Sequence, residues 1–122
     1  MQSVLVVEDQ ADIRKLIRMS LETEPYELHE ASDGVSALAL ARQHRPKLVL
    51  LDVMMPGDLN GLQVCQRIKT DPDLAHAKVL LLSARGQDSD RQAGVDVGAD
   101  EYLTKPFSPM HLIATVERLM SA

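Results

Sequence analysis

Very little of this chain is aromatic. Its 122 residues include two tyrosines, one phenylalanine and no tryptophan, so the core must be aliphatic, and an aromatic near a strand end draws attention. Cysteine is almost absent as well. The single Cys65 excludes an internal disulfide, and no Cys/His cluster has the spacing of a zinc site. Cys65 falls on an apolar helical face and reads as core rather than as a reactive thiol. The four histidines, His29, His44, His76 and His111, are scattered and fit no ligand spacing. Basic excess is missing too. Eighteen acidic against 13 basic side chains leave a net charge of −5 with no basic cluster, which argues against direct nucleic-acid binding. No apolar run approaches the roughly 20 residues of a membrane span, and no signal-peptide pattern opens the chain. The expectation is a reduced, cytoplasmic protein whose residues 1–122 form one domain, long enough to bury most of a core. The terminal Leu119-Met120-Ser121-Ala122 lacks linker composition, which leans toward a stand-alone protein.

What is present is a regular alternation of strand-like and helix-like segments. Four apolar runs each end in a polar group: Val4-Leu5-Val6-Val7 in Glu8-Asp9, Leu48-Val49-Leu50-Leu51 in Asp52, Val79-Leu80-Leu81-Leu82 in Ser83, and Tyr102-Leu103-Thr104 in Lys105-Pro106. Runs of this kind are buried strands of a parallel sheet. Residues 27–31 alternate weakly, as an edge strand does. Between the strands, the spacing predicts a helix over 12–24 with Ile13, Leu16, Ile17 and Leu21 on one face, stopped by Pro25. Ser32-Asp33-Gly34 caps a second helix carrying Val35, Leu38 and Ala39, ended by Arg45-Pro46. A loop over 54–60 leads to a third, from Gly61, burying Leu62, Cys65 and Ile68. A poorly periodic helix over 91–97 follows a polar stretch at 85–90. The last helix, 109–120, turns Leu112, Ile113, Val116 and Leu119 inward. Five strands alternating with five helices make an α/β fold with a doubly wound, five-stranded parallel sheet.

In such a sheet, sites form outside the carboxyl ends of the strands. Glu8, Asp9, Asp52, Ser83 and Lys105 are therefore expected at one rim. Each has a plain explanation when taken singly. Acids at 8 and 9 complement a helix dipole, Asp52 serves a turn, Ser83 is structural, and Lys105 is a solvated lysine. Four separate strands delivering these types to one edge is what favours a site. Crowded carboxylates stay ionised only beside a cation, and oxygen ligands with open positions suit Mg²⁺. A carboxylate can act as nucleophile and form an acyl phosphate. Mg²⁺, Lys105 and the Ser83 hydroxyl could neutralise the oxygens of the transferred group.

Glu8-Asp9, LVLLDVMMPG, LLLSA and GADEYLTKPF together resemble the receiver domain of two-component response regulators, across nearly the whole chain. The resemblance implies a flavodoxin-like fold with strand order 2-1-3-4-5. It implies that Asp52 accepts a phosphoryl group from a sensor histidine kinase or a histidine phosphotransfer protein. Asp9, Asp52 and the Met54 carbonyl would bind Mg²⁺, with Glu8 acting mainly through water. Lys105 would hold the phosphoryl group, Ser83 would move to hydrogen-bond it, and Tyr102 would be the switch aromatic. Pro106 fits the family's cis-proline position. The output surface would comprise 91–97, 101–104 and 109–120, meeting a downstream protein or a second copy, with neither nucleic acid nor membrane contacted directly.

Two features depart from the family pattern. The loop MPGDLNG, at 55–61, is one residue longer than the usual MPGMDG, and Ser83 stands where threonine is more familiar. Met54 and Arg85, each two residues past a strand-end site residue, would slow hydrolysis and lengthen the phosphorylated lifetime. Three other readings are weaker. A haloacid-dehalogenase-type phosphatase needs an acid two residues after its aspartate, where Met54 stands. A flavin or nucleotide binder wants a glycine- or hydroxyl-rich phosphate loop after the first strand, and EDQADI is acidic. A degenerate receiver would lack one of the site residues.

Overall fold

The computed structural model describes residues 2–84 and 88–121, with side chains left out at 88–90. Five strands, β1 (Gln2–Val7), β2 (Tyr26–Ala31), β3 (Leu48–Asp52), β4 (Lys78–Ser83) and β5 (Glu101–Thr104), alternate with five helices. These are α1 (Ala11–Leu21), α2 (Gly34–His44), α3 (Gly61–Thr70), α4 (Asp88–Asp96) and α5 (Pro109–Ser121). All pairings are parallel, and the sheet order is β2-β1-β3-β4-β5.

The central strands are apolar on both faces because both faces are covered. Leu5, Val7, Val49, Leu51, Val79 and Leu81 pack under α2 and α3 with Ala37, Leu38, Val64, Cys65 and Ile68. The alternate residues Val4, Val6, Leu48, Leu50, Leu80 and Leu82 pack under α1 and α5 with Ile17, Leu21, Leu112, Val116 and Leu119. β2 and β5 close the two edges, and their residues are less buried.

The helix faces differ in part from the sequence expectation. Helix α1 ends at Leu21 rather than at 24, and Leu16 is 41% exposed. The residue before a proline avoids helical backbone, so the turn into Pro25 begins early. On α2 it is Ala37, Leu38 and Ala41 that face inward, while Val35 and Ala39 lie outside. On α3 Val64 is fully buried and Leu62 only half so. One apolar residue beside a cap does not settle a helix's rotation; the sheet's surface does. Helix α4 begins at Asp88, three residues before the expected 91.

Candidate functional site

Each strand end delivers its polar group to the same rim. Val7 and Leu51 are level in the β1–β3 register, as are Ser83 and Thr104 in β4–β5. Glu8 follows Val7 directly, and its backbone N–H donates to the Ala31 carbonyl at 3.1 Å. Asp52 is the last residue of β3, and the next N–H, of Val53, donates to the Leu82 carbonyl at 2.8 Å. The Lys105 N–H donates to the Ser83 carbonyl at 2.7 Å. Ladder bonds therefore run on past the strand ends and fix the rim from beneath.

One carboxylate oxygen each from Glu8, Asp9 and Asp52 lies within 4.8 Å of the others. Glu8 and Asp52 are buried while Asp9 faces solvent. Lys105 Nζ is 2.5 Å from Glu8 Oε1 and 3.4 Å from Asp52 Oδ1. The Met54 N–H donates to Asp52 Oδ1 at 3.3 Å. Asp9, Gln10, Asp52, Met54, Ala84 and Lys105 line a cleft of about 300 Å³. Burial pushes the Glu8 carboxyl up from 4.5 to about 7, and the facing Asp52 carboxylate adds to this against the pull of Lys105. Glu8 Oε2 is buried with no hydrogen-bond partner among the described residues. An all-oxygen set with one orphaned carboxylate oxygen fits a hard divalent cation.

Ser83 is buried at the end of β4, beside Lys105. The Lys105–Pro106 peptide bond is cis. Tyr102 is half-buried on β5, level with Leu81, and the Arg91 guanidinium carbon lies 4.8 Å from its ring centroid. Arg85 falls outside the described residues. The longer loop keeps Pro56, Gly57 and Asp58 exposed and seats Leu59 on the α2–α3 core. Asn60 then caps α3 in a reciprocal pair with Gln63.

Three features escape sequence reasoning. Arg14 Nη1 donates to the Glu8 carbonyl at 2.8 Å while Arg14 Nε lies 3.4 Å from Glu30 Oε1, bracing the acidic turn from α1; no local pattern marks it. Gly61 starts α3 so close to β3 that a Cβ there would lie 2.0 Å from the Asp52 carbonyl oxygen. Lastly, His29 and His44, read above as scattered, stack with ring centroids 3.6 Å apart. Residues 15 apart meet because β2 and the end of α2 are neighbours in the fold. Cys65, by contrast, is a core thiol as read, fully buried and pushed up to about 11 by burial.

The response regulator receiver domain family matches residues 4–117. The DNA-binding dual master transcriptional regulator RpaA of Synechocystis is 41% identical over 120 residues, covering 98% of this chain and 49% of that protein. The chemotaxis response regulator CheY4 of Vibrio cholerae is 32% identical with a TM-score of 0.91, over 98% of both chains. The BeF3-activated receiver domain of DrrB is 31% identical with a TM-score of 0.89, covering 100% of this chain and 99% of that one. The chain spans about half the length of the curated relatives it matches. By the match across residues 4–117, this chain belongs to the receiver domain family of two-component response regulators, whose known role is to accept a phosphoryl group.

Proposed function

We propose that residues 1–122 form one phosphoacceptor domain in which Asp52 takes a phosphoryl group from a phosphohistidine, in a reaction that requires Mg²⁺. The donor is a sensor histidine kinase or a histidine phosphotransfer protein. The observation that carries this reading is the position of Asp52, on the floor of the cleft between two further acids and an ammonium. Asp9, Asp52 and the carbonyl of Met54 would hold the ion, with Glu8 reached through water. When bound, the ion would neutralise the crowded carboxylates and offset charge on the phosphoryl oxygens.

A carboxylate oxygen of Asp52 attacks phosphorus. The P–N bond of the donor breaks, and the electron pair leaves on the imidazole, which gains a proton. Lys105, now shared between Glu8 and Asp52, pairs with the incoming oxygens, and the Ser83 hydroxyl donates to them. The protein thus promotes its own modification and acts as a switch rather than as an enzyme on an outside substrate. Incubation with acetyl phosphate and Mg²⁺ is expected to add one phosphoryl mass, and chelator or Asp52→Asn should abolish it. Undiminished phosphorylation of Asp52→Asn would remove the assignment.

The lifetime of the phosphorylated form depends on whether an attacking water can be aligned. Met54 is 59% exposed, lines the cleft and offers a water no donor and only a weak thioether acceptor. Met54→Asn is expected to accelerate loss of phosphate several-fold, measured as decay of the phosphorylated mass. An unchanged or slower decay would discard this role for Met54.

The output surface is read as α4, β5 and α5. Arg91, Gly94, Val95 and Tyr102 line a groove of about 320 Å³ there, and Arg118 of α5 bonds Glu101 of β5 at 2.7 Å. As Ser83 is drawn to the phosphoryl group, Tyr102 turns inward and leaves Arg91, remodelling this groove for a downstream protein or a second copy. The DNA-binding activity of RpaA is that relative's own; the sequence of this chain, with a net charge of −5, shows no basic cluster. No helix among the described residues is long and apolar enough to cross a membrane, and we place the protein's work in the cytoplasm, beside its kinase. Beryllofluoride should change hydrogen exchange most within 84–108. A change confined to α1, with 84–108 silent, would refute the switch.

A further inference from the structure

The histidine pair lies far from the rim. β2 runs level with β1, so Glu27 stands beside Ser3, His29 beside Leu5, and Ala31 beside Val7 at the rim end. At about 3.3 Å per residue, Glu27 is roughly 13 Å from that edge. Leu5, Val7 and Ala31 all face the α2–α3 core, and strand alternation puts Ser3, Glu27 and His29 on the same face. His44, the last residue of α2, covers them there.

This corner holds two orphans among the described residues. Ser3 Oγ is buried without a hydrogen-bond partner, and so is His29 Nε2. Glu27 Oε1 is only 3.2 Å from His29 Nε2, yet no hydrogen bond joins them. Buried polar atoms are ordinarily satisfied, so two on one face of the adjacent strands β1 and β2 need a partner. The rings stack with a tilt of 17°, and one ligand atom each from Glu27, His29 and His44 lies within 4.8 Å of the others. Ligand atoms around a tetrahedral ion at about 2.0–2.1 Å are roughly 3.3 Å apart. Rotation of the two imidazoles and a shift of the exposed Glu27 would close that gap.

We propose that Glu27, His29 and His44 form a second metal site, separate from the acidic rim, that takes a borderline divalent transition ion, Zn²⁺. Two imidazoles and a carboxylate suit zinc, whereas the all-oxygen rim suits Mg²⁺. Three protein ligands leave the fourth position to water. The ion joins the end of α2 to edge strand β2, giving His29 Nε2 a ligand partner.

Zn²⁺ titrated into the protein in excess Mg²⁺, followed by calorimetry and by imidazole resonances of ¹⁵N-histidine, tests this. One Zn²⁺ should bind per chain, moving His29 and His44 but not His76 or His111, and raising the melting temperature. His44→Gln and Glu27→Gln should weaken binding on the order of tenfold or more, while Asp9→Asn at the rim leaves it intact. His29→Gln adds a third arm, and the exposed position of Glu27 keeps the test open if that variant folds poorly. Binding that survives both His44→Gln and Glu27→Gln, or that is lost in Asp9→Asn, would overturn the proposal.

Discussion

Replacing Gly61 with alanine is expected to destabilise the protein by about 3 kcal/mol or more and to impair phosphorylation at the same time. The new Cβ would lie 2.0 Å from the Asp52 carbonyl oxygen and 2.8 Å from both the Asp52 carbonyl carbon and the Val53 Cα. All three are backbone atoms, so no side-chain rotation relieves the clash. The Gly61 N–H also donates to the Val53 carbonyl at 2.9 Å, which ties the start of α3 to the end of β3. Relief must come from moving α3 or Asp52, and overpacking of this kind typically costs about 1–3 kcal/mol and at times more. For a chain of this length, 3 kcal/mol is roughly a 10 °C fall in melting temperature. Gly57→Ala supplies the contrast. Gly57 has φ +93° but nothing within 4 Å of its Cβ position, so only backbone strain of about 1–2 kcal/mol applies. Thermal melts of the two variants check this. If Gly61→Ala proves as mild as Gly57→Ala, close approach is not what requires glycine there.

Lys105→Met is expected to produce a stability loss that grows with pH. Lys105 bridges two carboxylates of which Glu8 is fully buried, and removing one partner of a buried pair costs about 3–5 kcal/mol when the other stays charged. Glu8 can escape by holding its proton. With its carboxyl raised from 4.5 to about 7, the folded parent binds more protons than the unfolded chain between those values. Its contribution to stability is therefore fully present below pH 4.5 and falls as pH rises to about 7. Without Lys105 the folded value moves higher still. Below pH 7 both proteins keep Glu8 protonated, and the difference between them is small. Above pH 7 the parent ionises Glu8 beside its lysine, whereas the variant cannot do so cheaply, and the gap widens by up to about 1.4 kcal/mol per pH unit. Denaturant melts at pH 5.5 and pH 8.5 in chelator, about 1.5 units either side of the Glu8 value, read this difference. A loss equal at both would mean that Lys105 acts by packing alone. On the Mg²⁺ reading, adding the ion should narrow the gap at the higher pH.

How much was legible beforehand follows from which forces are local. β1, β3 and β4 are covered on both sides, so each had to be an unbroken apolar run, and Glu8, Asp52 and Ser83 stand where those runs emerge. Lys105 was legible in the same way at the end of β5. Helix rotation was less so. Leu16 and Val35 lie on exposed faces although periodicity placed them with inward residues, because two or three apolar residues per helix leave the rotation open until the sheet is present.

By itself, then, the sequence determined the alternation of elements and the chemical types at the strand ends, since both depend on neighbours along the chain and on which segments must be buried. Tertiary structure alone decided which groups touch. Register and layer packing bring Lys105 against Glu8 more closely than against Asp52, press Gly61 onto the Asp52 carbonyl, aim Arg14 at the Glu8 backbone and stack His29 on His44. Such pairs lie from 6 to 97 residues apart. No periodicity in a single segment encodes a distance across two layers, which is set only when sheet and helices pack.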